Sequence, residues 1–140
     1  VKLVLGEDST VAAWVAARIP GRVEFKDMRA IGIERAGVPV GGVVYHEYRG
    51  NDIQMSCAST SMRWLDKGVL RALFAYPFVH LKCDRVSAYT GIDAKHTRQF
   101  LERLGFVQEG VIRRGFEEGD CVLYGMLVEE CKWIKELQHG

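Results

Sequence analysis

The feature that most constrains this chain is a change of hydrophobic period near residue 65. Before it, three short strand-like runs follow one another: AIGIER (30–35), VGGVVYHEY (40–48) and IQMSCAST (53–60). Gly37-Val38-Pro39 and Arg49-Gly50-Asn51-Asp52 separate them, and turns of this chemistry send a strand back beside its predecessor. After it, Leu65, Val69, Leu70, Leu73, Phe74 and Leu81 mark one face of a helix over about 66–80, with Pro77 kinking or shortening its last turn. DRVSAYT (84–90) then reads as a strand with Val86 and Ala88 on one side. A second helix follows, capped by Asp93, with Thr97, Phe100, Leu101 and Leu104 inward and Gly105 at the position after its last turn. A meander joined to strands through helices requires both antiparallel pairing and at least one right-handed parallel crossover.

The ends complete the pattern. VKLVL (1–5) reads as a strand ending at Gly6. Asp8 or Ser9 caps a helix carrying Val11, Trp14, Val15 and Ile19 on one face, and Pro20-Gly21 ends it. Residues 106–113 and 121–128 form a hairpin around Glu117-Glu118-Gly119-Asp120, and 130–137 form a short terminal helix. The order is β-α-βββ-α-β-α-ββ. The expected fold is α/β of mixed type: a central, mostly antiparallel sheet with helices on both faces, in one domain over 1–140.

With 140 residues, 48% of them hydrophobic, the chain can bury a real core without staples. A net charge of +1 argues against a polyanion partner, so nucleic acid is not the expected ligand. No apolar run approaches the ~18 residues of a membrane helix, and no basic-then-apolar leader opens the sequence. A cytoplasmic protein without a membrane partner is expected. Cys57, Cys83, Cys121 and Cys131 form no CxxC pair, and His46, His80, His96 and His139 stand at no zinc spacing to them. Reduced thiols and no metal are expected.

Three stretches carry a resemblance. FLERLGF (100–106), followed by Glu109-Gly110, is similar to the "LEKLGF…EG" segment of the GNAT superfamily of acyl-CoA-dependent N-acetyltransferases. LRALFAYPF (70–78) resembles the helix after the family's pyrophosphate loop, and VLYGML (122–127) its last strand. The nearest branch is that of the ribosomal-protein N-terminal alanine acetyltransferases. The resemblance spans about 30–133 and implies acetyl-CoA as acyl donor, a primary amine as acceptor (a protein N-terminus or a small amine), and direct attack in a ternary complex. A homodimer is compatible with it.

What the resemblance implies for residues follows the shape of the donor. The pantetheine arm carries amides that a strand can meet with its own backbone; here that strand ends at Ala58, Ser59 and Thr60. The pyrophosphate lies at a helix start, which maps to the loop with Ser61, Arg63, Trp64 and Asp66. The family's glycines are absent from that loop, so Arg63 is expected to supply charge instead, while Trp64 also suits a core position. Lys95, Thr97 and Arg98 begin the next helix near the nucleotide phosphate, with Ala94 where the family carries asparagine. Leu101 stands where the family places a tyrosine acid, leaving Tyr89 and Tyr124 as acid candidates. Glu47 is the base candidate, with His46 and Gln54 as neighbours facing the same acceptor cleft. Two further readings follow from the departures: a CoA-binding module of the same fold without activity, and a nucleic-acid-modifying relative using Arg113, Arg114, Lys95 and Arg98.

Overall fold

The computed structural model describes residues 1–21, 24–60 and 64–135. One seven-stranded sheet organises it, in the order β1-β2-β3-β4-β5-β7-β6. The strands are β1 (Lys2–Val4), β2 (Arg29–Arg35), β3 (Val38–His46), β4 (Asp52–Ser59), β5 (Arg85–Gly91), β6 (Val107–Phe116) and β7 (Gly119–Leu127). Every neighbouring pair is antiparallel except β4 and β5. The helices are α1 (Asp8–Ala16), α2 (Lys67–Ala75) and α3 (Lys95–Leu104). The mixed, mostly antiparallel sheet with helices on both faces is therefore as expected.

Alternation along the strands sorts the core into two. Val43 and Tyr45 of β3 join the larger cluster with Leu70, Leu73 and Phe74 of α2 and Leu101 of α3. Val44, between them, faces the other way and packs with Val11, Ala12 and Val15 of α1. Val86 and Ala88 share the α2 side, as the sequence indicates. The period-2 pattern thus assigns each helix to a face.

Several boundaries differ, each for a local reason. The β2–β3 turn sits at Ala36-Gly37, both with positive φ, so Val38 and Pro39 belong to β3. Asp8 does not cap α1: its Oδ1 accepts from the Ala30 N–H at 3.0 Å, tying α1 to β2, and the N-cap is Glu7 without a side-chain bond. Asp93 does not cap α3 either; Ala94 holds that place with no side-chain bond. Beyond α2 the chain widens into a π-helical turn, Tyr76–His80, closed by Leu81 N–H to Tyr76 C=O at 3.0 Å. Pro77 lacks an N–H, which is the expected trigger for leaving the α ladder. At the C-terminal end a 3₁₀ turn, Val128–Glu130, stands where the terminal helix was expected to begin; residues 136 and 137 lie outside the described part.

Candidate functional site

β4 and β5 form a fork. They pair in parallel at Asp52↔Arg85, Ile53↔Val86 and Gln54↔Ser87, and there the pairing stops. β4 continues to Ser59 and β5 to Gly91. Among the described residues the β5-facing edge of β4 beyond Gln54 has no strand partner. Such an edge offers backbone N–H and C=O groups to anything extended that enters.

The closed end of the fork is clamped by charge. Arg85 donates to Glu109 Oε1 of β6 at 2.7 Å and to Ser87 Oγ at 3.1 Å, and its Nε lies 3.5 Å from Asp52 Oδ1. Ser87 in turn donates to Asp52 at 2.9 Å. The hydrogen bond it donates to Glu109, then the charges of Glu109 and Asp52, hold the guanidinium firmly protonated against partial burial.

The open end is a cavity of about 490 Å³. Its walls are the two prongs, with Met55 to Ala58 on one side and Ala88 to Gly91 on the other. Ile19 and Phe25, after α1, roof one end, and Phe116, Glu118 and Asp120 of the β6–β7 hairpin close another. A bulge in β6 between Ile112 and Phe116 aims that hairpin; Arg114 takes a positive φ there, and its N–H donates to Asp120 Oδ1 at 2.8 Å. Ala94 and Thr97, at the uncapped start of α3, also line the cavity.

His46 is the titratable group built most firmly into this wall. Its Nε2 lies 2.8 Å from Ser56 Oγ, and its ring meets Phe25 edge-on at a centroid distance of 4.8 Å. It is only 9% exposed, and burial lowers its pKa below the usual value near 6.5, partly opposed by the Glu47 carboxylate. Burial pushes the nearby Cys57 thiol up to about 11.

The residues expected from the sequence separate clearly. Ala58, Thr97 and Tyr89 line the cavity. Ser59 pairs with Gly41, and Thr60 N–H donates to Val40 C=O at 2.9 Å. Lys95 is exposed at the start of α3. Ser61 and Arg63 lie outside the described residues. Asp66 caps α2, accepting from Val69 N–H at 2.8 Å, so its carboxylate occupies that helix start. Trp64 is 3% exposed and lies against Gly41, where a Cβ would fall 2.2 Å from its ring; it is a core residue.

Three more are drawn away from the cavity. Arg98 donates to Tyr124 Oη, Ile92 C=O and Gln108 Oε1, all within 3.1 Å. Tyr124 is fully buried and donates to Glu102 at 2.9 Å, so the fold uses its hydroxyl. The Glu47 side chain is 64% exposed and points off the wall, its Oε1 4.0 Å from His46 Nδ1. Phe25, Glu118 and Asp120 fall in the two segments, about 16–28 and 111–121, that the family resemblance implies shape the acceptor cleft, whereas Ser56 is not singled out by the sequence. For Ser56 the available signal is strand parity: it stands two residues from Gln54 and so shares its face.

Among the described residues no group of three or more His, Cys, Asp or Glu side chains is placed to hold a metal, and no helix is long and apolar enough to cross a membrane. No family model matches the chain, and no curated protein matches it. Solved structures do. A spermidine N-acetyltransferase variant from Vibrio cholerae aligns at a TM-score of 0.75 with 12% identity, over 98% of this chain and 99% of that one. A probable acetyltransferase aligns at 0.65 with 22% identity, over 74% of this chain and 63% of that one. A ribosomal-protein-S5-alanine acetyltransferase from Vibrio fischeri aligns at 0.64 with 14% identity, over 75% and 64% respectively. The chain thus spans less than two thirds of the latter two. At these identities the likeness establishes a shared fold, that of the GNAT acetyltransferases.

Proposed function

We propose that this chain is an acetyl-CoA-dependent N-acetyltransferase that moves acetyl to a primary amine by direct attack. The fork between β4 and β5 carries the reading, because an extended arm with amide groups is what an unpaired strand edge recognises. The pantetheine would lie against Met55 to Ala58, continuing the sheet. Backbone N–H groups of that edge near Ala58 and Ser59 would polarise the thioester carbonyl, where charge develops during attack. Lys95 and Thr97, beside the uncapped start of α3, suit the phosphates of the nucleotide end. Tyr89 lines the fork and is the acid of choice for the departing thiolate. The acceptor would enter beneath Phe25 and the Glu118–Asp120 hairpin. Free thiols at Cys57, Cys83, Cys121 and Cys131 suit a reducing, cytoplasmic setting.

Titration with CoA and acetyl-CoA while following Tm tests the binding half. At a hundredfold excess over Kd the ligand adds about 2.7 kcal/mol, an upward shift of several degrees. An unshifted Tm removes the donor. Acetylation of a panel of peptide α-amines, lysine side chains and small amines tests the transfer half. A second reading, a CoA-binding module without transferase activity, is favoured by one observation: Asp66 fills the start of α2 with a carboxylate. A Tm shift without product from any amine would establish it.

A further inference from the structure

The fork has a matched pair of polar groups on its two prongs. Gln54 and Ser87 are the last partners, so Ser56 and Tyr89, each two residues further, project to the same face of the sheet from opposite prongs. His46 reaches that face from β3: it pairs with Gln54, while Ser56 pairs with Val44, which makes His46 and Ser56 diagonal neighbours. Their 2.8 Å contact therefore ends at a hydroxyl standing where the strands have just parted.

We infer that Ser56 and His46 form a proton relay on the β4 prong, in which Ser56 Oγ takes the proton of the acceptor amine and His46 Nε2 receives the serine's own. This rests on the acetyl-transfer reading above. The amine nitrogen bonds to the thioester carbon while its N–H bond breaks. That proton goes to Ser56 Oγ, the Ser56 hydroxyl proton goes to His46, and the C–S bond breaks. The thiolate takes its proton from Tyr89, and the imidazolium and phenolate are reset by exchange with water. Ser56 is the catalytic residue in contact with the amine, and His46 is the base behind it.

The surroundings suit the task. In the working tautomer Nε2 accepts from Ser56 and Nδ1–H faces Glu47, whose Oε1 at 4.0 Å stands beside the charge that appears on the ring. Glu47 is the residue at positive φ directly after β3, and its left-handed backbone places its carboxylate there. Phe25 covers the ring edge. Among the described residues the other charged or titratable groups around the cavity are Cys57 on the same prong, Tyr89 on the facing prong, Asp93 before α3, Glu118 and Asp120 on the hairpin, and Arg18 after α1. Burial keeps His46 neutral at neutral pH, as a receiver of protons must be.

The experiment measures kcat from acid to alkaline pH for the full chain, with acetyl-CoA and the best acceptor of the amine panel. It compares His46→Gln, Ser56→Ala and Glu47→Gln, and records the CoA-induced Tm shift of each. His46→Gln keeps a side chain able to bond Ser56 but cannot be protonated; it is expected to lower kcat about 10²–10⁴-fold, to abolish the acid limb of the profile and to keep the CoA shift. Ser56→Ala is expected to lose a comparable factor and Glu47→Gln less. An acid limb and rate unchanged in His46→Gln, a wild-type rate in Ser56→Ala, or a larger loss in Glu47→Gln overturns the relay. Should His46→Gln not fold, the wild-type imidazole titration followed by NMR decides: it must coincide with the acid limb of kcat, and a mismatch overturns the assignment. A wild-type protein that shifts with CoA but acetylates no amine overturns the transfer reading itself and takes the relay with it.

Discussion

At their first residues β4 and β5 are tied by ionic hydrogen bonds running from Asp52 through Ser87 and Arg85 to Glu109. Three residues later the same two strands face each other across about 490 Å³ of open space. There β4 stays paired with β3 out to Ser59, and what braces its tip is packing, not charge. Trp64 folds back onto Gly41, the β3 residue that pairs with Ser59 at the tip of β4. The difference teaches how a sheet can be opened without unravelling. Directional bonds fix where the fork starts, and a large apolar side chain braces the tip of the prong whose β5-facing edge has no partner.

Removing the brace has the largest effect. Trp64→Ala deletes a fully packed indole and is expected to cost about 3–5 kcal/mol, lowering Tm by roughly 10 °C in a chain of this size. Thermal unfolding checks it, and a loss of a degree or two would mean that the tip of β4 is braced by something else. The chemistry of the open end is next. With the Cys57 thiol pushed up to about 11, its thiolate fraction near pH 8 is about a hundredfold below that of an ordinary thiol. Alkylation of Cys57, read by peptide mass mapping, is expected to be slower by that factor and slower again with CoA present. Labelling at the rate of a free thiol would contradict a closed wall.

The clamp gives a smaller change. Arg85→Met leaves Asp52 and Glu109 facing each other without their cation, while the methionine keeps most of the apolar stem. Arg85 is about a quarter exposed, so solvent relieves part of the cost and a loss of about 2 kcal/mol is expected. Urea unfolding measures it. Because the clamp sets where the strands part, the CoA-induced Tm shift should also shrink. A variant equally stable, with the full CoA shift, would show that the fork opens without the clamp.

The sequence speaks unevenly about these regions. The meander, the two central helices and the faces of Val86 and Ala88 follow from turn residues and period, because local chemistry sets them. Carboxylates were the weak point. Asp8 and Asp93 sit where caps belong, yet Asp8 reaches the Ala30 N–H instead and Asp93 leaves α3 uncapped. A short acidic side chain has several donors within reach, and only tertiary structure decides among them. Tyr124 lies away from the cavity for a related reason: strand parity places a residue on a face, but that face is the core beneath α3, where the hydroxyl donates to Glu102 and accepts from Arg98. The resemblance pointed to the fork, and pairing register, which no single strand encodes, puts Ser56 and Tyr89 two residues beyond the last β4–β5 pair, on the same face and in the same cavity.

The smallest expected effect concerns the histidine of the open end. His46 is held neutral by burial, with a folded-state pKa lowered from about 6.5. The unfolded chain therefore binds more protons than the native one between the lowered value and 6.5. In that window stability rises with pH, and it falls as the medium is acidified through it. The contribution is fully present above about pH 6.5 and lost below the folded pKa. Comparing Tm at neutral pH and near pH 5 for the wild type and His46→Gln isolates it, since the glutamine does not titrate: the wild type should lose more on acidification. Equal losses in the two proteins would mean that His46 is free to charge in the native state. The wall of the fork would then be wetter than its packing against Phe25 indicates, and the open end would resemble the clamp, governed by charge and solvent.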